Sequence, residues 1–205
     1  LPVTLDFPDD CSLLVLAGPE TREAGLRTLQ ASMMRLLAAI PPGKARFTIV
    51  DPIGLGESFA GFMHLGDHDE SLVGGRIWTE TRHVEQRLAD LTEHMEHVIQ
   101  KYLRNAYESI ADYNAAAGEI AEPYRFLVIA DFPAAFSESA AARLASILSS
   151  GPRCGVFTLI LADERRPLPR GLDREALESA AIVLREQDGR LAVDDPVLGR
   201  WPLEP

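Results

Sequence analysis

Hydrophobic positions in the first fifty residues alternate between short continuous runs and a longer spaced series. Leu13–Ala17 is a continuous apolar run closed by Gly18-Pro19, which predicts a buried strand and a turn. Apolar residues then recur every three or four positions as far as Ile40, which predicts a helix. Phe47–Val50 predicts a second strand that ends at Asp51-Pro52. The order is therefore strand, turn, helix, strand.

The rest of the chain continues this alternation. Residues 52–78 are rich in glycine and predict a long ordered connection. The further predicted elements are a long amphipathic helix from Arg82 to about Tyr102, a polar bridge through Asn114, Gly118 and Pro123, a buried strand at 126–131, a helix at 138–149, a strand from Gly155 to Ala162, and a terminal hairpin with strands at 181–185 and 189–193.

Strands that alternate with helices predict an α/β fold with a mostly parallel central sheet, here ending in a β-hairpin. No repeat or composition change divides the chain, so we expect one domain over residues 1–205. Ligands of such sheets bind at the carboxyl ends of the strands. In this sequence those ends carry Gly18, Asp51, Asp131 and Asp163.

Charge and cysteine content exclude several classes of protein. The net charge of -11 should repel nucleic acid and anionic lipid, and two distant cysteines make neither a disulfide framework nor a structural zinc site. The sequence contains no apolar run long enough for a membrane span, so we expect a cytoplasmic module without direct membrane contact. Because it begins at Leu1 without Met and ends in WPLEP, we expect a piece excised from a longer multidomain polypeptide.

Several segments in order resemble the motor domain of the FtsK/SpoIIIE family of DNA-translocating ATPases. They are the strand end at 51–54, the helix segment at 93–96 that continues to 102–105, the Tyr113-Asn114 pair, FLVIADF at 126–132 and GVFTLILADERRP at 155–167. The likeness covers residues 12–167. It implies a three-layer, RecA-like P-loop fold that binds ATP, forms a hexameric ring and pumps double-stranded DNA.

This sequence departs from the family at the phosphate-binding turn. A working P-loop needs a glycine-rich turn, a Lys for the β and γ phosphates, and a Ser or Thr for Mg²⁺. Residues 18–25 read GPETREAG, without the Gly-Lys-Ser or Gly-Lys-Thr sequence. Pro19 removes one N–H donor and Glu20 places negative charge where phosphate would lie. Arg22 offers a cation but replaces neither the cradle nor the Mg²⁺ hydroxyl.

The acidic strand is also incomplete. The family ends it in Asp-Glu-Phe, and matching Phe132 to that Phe puts Ala130 at the metal position and Asp131 at the catalytic one. The expected mouth holds more acids than bases: Glu20, Glu23, Asp51, Asp131, Asp163 and Glu164 against Arg22, Arg165 and Arg166. Such a mouth should reject a triphosphate unless salt bridges or bound cations neutralise it.

The resemblance and these departures predict a hydrolytically silent module with a vestigial nucleotide site at Gly18, Thr21, Arg22, Asp51 and Asp131. It would serve as a structural, ring-assembly or regulatory partner of active ATPase modules in the same chain or ring, in a machine that moves DNA or protein. We expect no catalytic residue, metal or obligatory cofactor, with residual ATP and Mg²⁺ binding left open. One alternative is an active ATPase that uses Arg22 and Asp131. Another is a peptide-docking module of the secretion type, with a groove at Phe59, Phe62 and Met63.

Purely structural interpretations stand beside these. The turn at 18–25 predicts Thr21 as a helix N-cap whose hydroxyl accepts a backbone N–H. Asp51 and Asp131 would be strand ends hydrogen-bonded to neighbouring loops. Histidines 94 and 97 share one side of the long helix, which indicates either a solvated polar flank or, less in keeping with its apolar stripe, a metal site.

Overall fold

Seven strands form the centre of the protein. The computed structural model describes residues 5–9, 11–104, 106–195 and 199–202, with Asp195 and residues 199–202 described by their backbone only. The strands are β1 (Leu13–Ala17), β2 (Ala45–Val50), β3 (Tyr124–Phe132), β4 (Val156–Asp163), β5 (Ile182–Gln187), β6 (Arg190–Asp195) and β7 (Gly199–Pro202). They lie in one sheet in the order β2-β3-β4-β1-β5-β6-β7.

The first five strands along the chain run parallel, β6 pairs antiparallel with β5, and β7 pairs antiparallel with β6. The central strands β1, β3 and β4 are apolar along almost their whole length because helices cover both faces of the sheet. All five parallel strands therefore present their carboxyl ends at one margin, the carboxyl edge. Their first residues lie at the opposite margin, the amino edge.

Within the described part of the chain, five α-helices connect the strands: α1 (Arg22–Ala39), α2 (Thr81–Val98), α3 (Ile110–Ala117), α4 (Glu138–Ser150) and α5 (Arg174–Ser179). Helix α2 continues into a π-helical turn at Ile99–Leu103, and the glycine-rich connection holds 3₁₀ turns at Glu57–Asp67 and Glu70–Leu72. One core cluster joins α1 and these 3₁₀ turns to the sheet, and a second joins α2, α4 and α5 to its other face. The architecture is the predicted three-layer α/β fold.

Three elements differ from the sequence prediction. The polar bridge contains helix α3. This helix begins with a reciprocal capping box between Ser109 and Asp112. Helix α5 was not predicted either. The predicted terminal hairpin is β5 and β6, but a third strand, β7, extends it. The side chain of Trp201 and residues 203–205 of the proline-rich end lie outside the described residues.

The two cysteines occupy separate core clusters, Cys11 with α1 and Cys154 with α2 and α4, and both are buried and form no disulfide within the described residues. Burial raises the pKa of the Cys154 thiol to about 11. Among the described residues no helix is both long and apolar enough to cross a membrane.

Candidate functional site at the carboxyl edge

The turn between β1 and α1 holds a carboxylate from elsewhere in the chain. Glu186, near the end of β5, accepts a hydrogen bond from the Gly18 backbone N–H at 2.7 Å and another from the Thr21 hydroxyl at 2.5 Å. Strand β5 lies beside β1 in the sheet, which brings the two segments together. A negatively charged side chain of the protein therefore occupies the turn where a P-loop would hold phosphate.

These contacts stabilise the ionised form of Glu186. The hydrogen bond from Thr21 and then the one from the Gly18 N–H lower the pKa of its carboxyl group. Position 18 also needs glycine for space, since a Cβ there would lie 2.6 Å from a Glu186 carboxylate oxygen. The turn and the carboxylate are thus fitted to each other.

Thr21 takes the predicted N-cap position but makes different contacts. The Thr21 side chain caps no N–H of helix α1, because its hydroxyl donates to Glu186 and accepts from the Gly18 N–H at 3.1 Å. The predicted capping hydrogen bond is therefore wrong. Helix α1 begins directly at Arg22, so the segment is a short turn without the length of a P-loop.

Arg22 and Asp131 form the second feature of the site. The Arg22 Nε–H donates to one carboxylate oxygen of Asp131 at 2.6 Å, and the Arg22 Nη2 donates to the other at 2.7 Å. The Asp131 side chain is 9% exposed and the Arg22 side chain 35%. Hydrogen bonding to Asp131 raises the pKa of the Arg22 guanidinium, with smaller electrostatic contributions from Asp51 and Glu23. This bidentate geometry is the strongest type of protein ion pair.

The backbone at Asp131 aims the carboxylate at Arg22. Asp131 has a φ of 57°, in the left-handed region that aspartate tolerates better than most residues. The pairing register between β3 and β4 shifts between Ile129 and Phe132, so Asp131 lies on a bulge. Bulges of this kind redirect a side chain at the end of a strand.

Asp51 lies close enough to affect Arg22 electrostatically, yet its hydrogen bonds go elsewhere. It is fully buried, and its two carboxylate oxygens accept from the backbone N–H groups of Gly54 and Ser58 at 2.9 and 3.1 Å. The contacts agree with the structural interpretation of Asp51, in which it closes the loop after β2.

Asp163 and Glu164, two further acids of the mouth, form ion pairs within the chain. Asp163 accepts two hydrogen bonds from the Arg165 guanidinium, which lower the pKa of its carboxyl group, and Arg166 lies 3.5 Å away. Glu164 forms ion pairs with Arg174 and Arg185. The predicted excess of unpaired negative charge is therefore much reduced by salt bridges within the chain.

The histidine face of α2 differs from the predicted solvated flank. His97 is exposed, but His94 is half-buried, and its pKa is lowered to about 4 by burial first and then by Arg125. Within the described part of the chain no group of three or more His, Cys, Asp or Glu side chains is arranged to hold a metal ion. Phe59, expected in an apolar groove, is buried in the core, whereas Met63 lines an open depression.

Comparison with solved structures establishes the fold, a RecA-like α/β domain that this chain shares with parts of three longer proteins. The cytoplasmic domain of the type VII secretion ATPase EccC from Thermomonospora curvata matches 98% of this chain at a TM-score of 0.68 and 15% identity. The conjugation coupling protein TcpA of pCW3, solved with ATPγS, matches 87% of this chain at a TM-score of 0.64 and 14% sequence identity. ATPases 2 and 3 of EssC from Geobacillus thermodenitrificans match 92% of this chain at a TM-score of 0.63 and 12% sequence identity.

Identities this low establish the fold alone, and they confirm the fold predicted from the sequence motifs. No protein-family model and no curated protein sequence matches the chain. The chain spans 24% of the EccC chain, 49% of the TcpA chain and 38% of the EssC chain. Activities and substrates of those longer proteins are therefore a matter for proposal here.

Glu186 is the site residue that sequence reasoning missed. Motif comparison ended at residue 167, whereas the sheet places β5 directly beside the turn. The sequence predicted the strand at 181–185 but not its place beside β1. That placement would have been the signal pointing to Glu186. Of the predicted residues, the structure brings Gly18 and Thr21 together around Glu186, pairs Arg22 with Asp131, and leaves Asp51 bonded to its own loop.

Proposed function

We propose that this chain is a hydrolytically silent, ATPase-like module that acts as a structural, ring-assembly or regulatory partner of active motor modules. The observation that carries the proposal is the Glu186 carboxylate held by the Gly18 N–H and the Thr21 hydroxyl. A phosphate group in this turn would have to displace an anion covalently attached to the sheet. Electrostatic repulsion from that anion would also weaken any phosphate bound beside it.

The Arg22–Asp131 pair supports the same conclusion. In the active alternative, Arg22 would bind phosphate and Asp131 would orient the attacking water. Both Asp131 oxygens already accept hydrogen bonds from Arg22. Arg22 is therefore not free to bind phosphate, and Asp131 is not free to orient water. Freeing them would cost the burial of an unpaired carboxylate.

A magnesium triphosphate does not fit the remaining groups. The Thr21 hydroxyl donates to Glu186, and both Asp51 oxygens accept from backbone N–H groups. Ala130, at the metal position of the acidic strand, carries no ligand atom. We therefore derive no hydrolytic step for this chain.

Calorimetric titration with ATP and Mg²⁺, followed by a hydrolysis assay on the same sample, tests the proposal. We expect no binding tighter than about 100 μM, equivalent to about 5.5 kcal/mol, and no turnover above background. Tighter binding, with hydrolysis that Asp131→Asn abolishes, would establish the active alternative instead. Glu20→Gln, which changes an exposed acid of the same turn, is the matched control for altered charge.

The partner role rests on the architecture of the similar proteins. Solved structures that match this fold include paired ATPase modules, such as ATPases 2 and 3 of EssC. A module without turnover could alter the rate of its neighbour through their shared interface. The test is the ATPase rate of an active module from the same polypeptide or ring, with and without this chain. An unchanged rate and no complex in sedimentation would contradict the proposal.

Peptide docking is a second candidate, favoured by one specific observation. An open depression of about 390 Å³ beside the loop after β2 is lined by Leu55, Ala60, Met63 and Ile77 among others, and Leu55 is 76% exposed. A structure of EccC ATPases 2 and 3 contains a signal sequence peptide. Fluorescence titration with an apolar helical peptide, compared between the native chain and Leu55→Asp, tests this candidate; equal affinities would contradict it.

A further inference from the structure

Three basic side chains gather at the amino edge of the sheet, opposite the candidate nucleotide site. Arg46 is the second residue of β2 and Arg125 the second of β3, and the two are direct partners in the parallel pairing. His94, in the last third of α2, lies close enough to both arginines for their positive charges to lower its pKa. We refer to Arg46, Arg125 and His94 as the basic cluster.

The two arginines lie on the same face of the sheet. Pairing in register places their side chains on one side, and successive residues of a strand alternate between faces. Leu127 and Ile129, at the following alternate positions of β3, pack in the core cluster that includes α2. Both arginines therefore extend toward α2, the helix that carries His94.

One buried nitrogen of each side chain in the basic cluster lacks a hydrogen bond within the described residues. The Nε atoms of Arg46 and Arg125 and the Nε2 atom of His94 are buried without a hydrogen-bond partner. Glu122 and Asp69 lie near enough to interact electrostatically with Arg125 and Arg46, but neither carboxylate forms an ion pair with them among the described residues.

This arrangement is unfavourable for the protein alone. Burial lowers the pKa of Arg125, and the positive charge of Arg46 lowers it further. Buried polar groups without hydrogen bonds and like charges on adjacent strands both destabilise a fold. An anion placed among the three side chains would reverse both effects, because it accepts the missing hydrogen bonds and neutralises the repulsion.

We propose that the basic cluster is a binding site for a small phosphate-type oxyanion, either free phosphate or the phosphoryl group of a small ester. Planar guanidinium groups bind phosphate oxygens with paired N–H donors, and neutral His94 in its Nε2–H tautomer adds another donor. A phosphate group presents at least three oxygen acceptors, so each of the three side chains can donate to a different oxygen, whereas a carboxylate presents two. All three side chains are half-buried, which leaves a path from solvent. The net charge of -11 disfavours a polyanion such as nucleic acid.

The test is a titration of the chain with inorganic phosphate, monitored by NMR at the arginine Nε–H and histidine ring signals. Sodium chloride at equal ionic strength is the reference. We expect saturable shifts at Arg46, Arg125 and His94, and a dissociation constant for phosphate at least about tenfold weaker in Arg125→Gln, about 1.4 kcal/mol. Arg35→Gln, an exposed arginine of α1, is the matched control and should bind phosphate like the native chain.

Two further arms identify the ligand and guard against misfolding. Titration with phenyl phosphate distinguishes the two ligands. If the site binds phosphate esters, phenyl phosphate should bind at least as tightly as inorganic phosphate; if it binds the free ion, phenyl phosphate should bind more weakly. Acetate that binds as tightly as phosphate would overturn the proposal. If Arg125→Gln fails to fold, Arg125→Lys keeps the charge but not the planar fork and should weaken phosphate binding several-fold. Phosphate binding unchanged in the folded variant, or shifts equal to those with chloride, would also overturn it.

Discussion

The two edges of the sheet differ in whether their charged side chains have hydrogen-bond partners within the chain. At the carboxyl edge, Glu186, Asp131 and Asp163 each accept hydrogen bonds from donors of the same chain. At the amino edge, the buried nitrogens of Arg46 and Arg125 have no such acceptor among the described residues. The fold thus pairs the charged groups of the carboxyl edge internally, and it leaves hydrogen-bonding capacity at the amino edge. Because the two edges differ in the pairing of their polar groups, we expect an added anion to bind more readily at the amino edge.

Removal of Arg22 should produce the largest effect at the carboxyl edge. Arg22→Met leaves the Asp131 carboxylate, 9% exposed, without its ion-pair partner. We expect the free energy of unfolding to fall by about 3 kcal/mol, measured by urea denaturation. The double variant Arg22→Met/Asp131→Asn should recover part of that loss, because it removes the unpaired charge. A cost below about 1 kcal/mol for the single variant would contradict the tight internal pairing.

Protonation of His94 should produce the next largest effect, at the amino edge. The pKa of His94 in the folded protein is about 4, below the value near 6.5 of an unfolded chain, so the unfolded state binds the proton more tightly. Stability should therefore decrease as the pH falls from about 6.5 to 4, by on the order of 1 to 2 kcal/mol after allowance for partial exposure.

Denaturation curves at several pH values measure this loss. His94→Gln should remove it, whereas His68→Gln, a change in an exposed loop, should keep the native pH dependence. Equal pH dependence in the native chain and His94→Gln would show that the buried imidazole does not sense its basic neighbours.

The Glu186 contacts should have a smaller effect on stability. The folded pKa of Glu186 lies below its unfolded value, so its contribution is present above about pH 4.3 and is lost as the pH falls through the folded pKa. Glu186→Gln should lower the free energy of unfolding at pH 7 by about 1 kcal/mol, the typical value of one hydrogen bond. Glu20→Gln should have almost no effect, and a similar loss in both variants would contradict a specific role for Glu186.

The prediction for Cys154 is the smallest, because it concerns the reactivity of the thiol and not the free energy of unfolding. Its thiol pKa of about 11 leaves on the order of 0.1% thiolate at pH 8. We expect a disulfide reagent such as dithionitrobenzoate to react with this thiol only after denaturation. Rapid modification in the native protein, assigned to Cys154 by peptide mass, would mean that the neighbouring Arg153 outweighs burial.

Much of the fold was predictable because it depends on local periodicity. Strands β1 and β4 and helices α1, α2 and α4 have apolar patterns that match the period of their secondary structure. Helix α3 was missed because its sequence, IADYNAAA, has weak amphipathic character and begins at a capping box in a polar segment. Strand β7 was missed because an edge strand of four residues has almost no pattern of its own.

The site was predictable only in part. The sequence shows that residues 18–25 contain neither Gly-Lys-Ser nor Gly-Lys-Thr, and it shows the presence of Arg22 and Asp131. Their mutual pairing depends on a bulge at Asp131 that shifts the register of β3. Such a register change follows from packing between strands and has no local sequence signal.

The sequence by itself determined the α/β class, the order of the main strands and helices along the chain, and the absence of a Gly-Lys-Ser or Gly-Lys-Thr sequence at residues 18–25, because these follow from local periodicity and residue identity. Only the tertiary structure decided that Glu186 lies in the β1–α1 turn and that Arg46 and Arg125 are neighbours. Each of these contacts joins residues far apart in sequence through the order and register of the strands. That register is decided by burial over the whole sheet, which no single segment encodes.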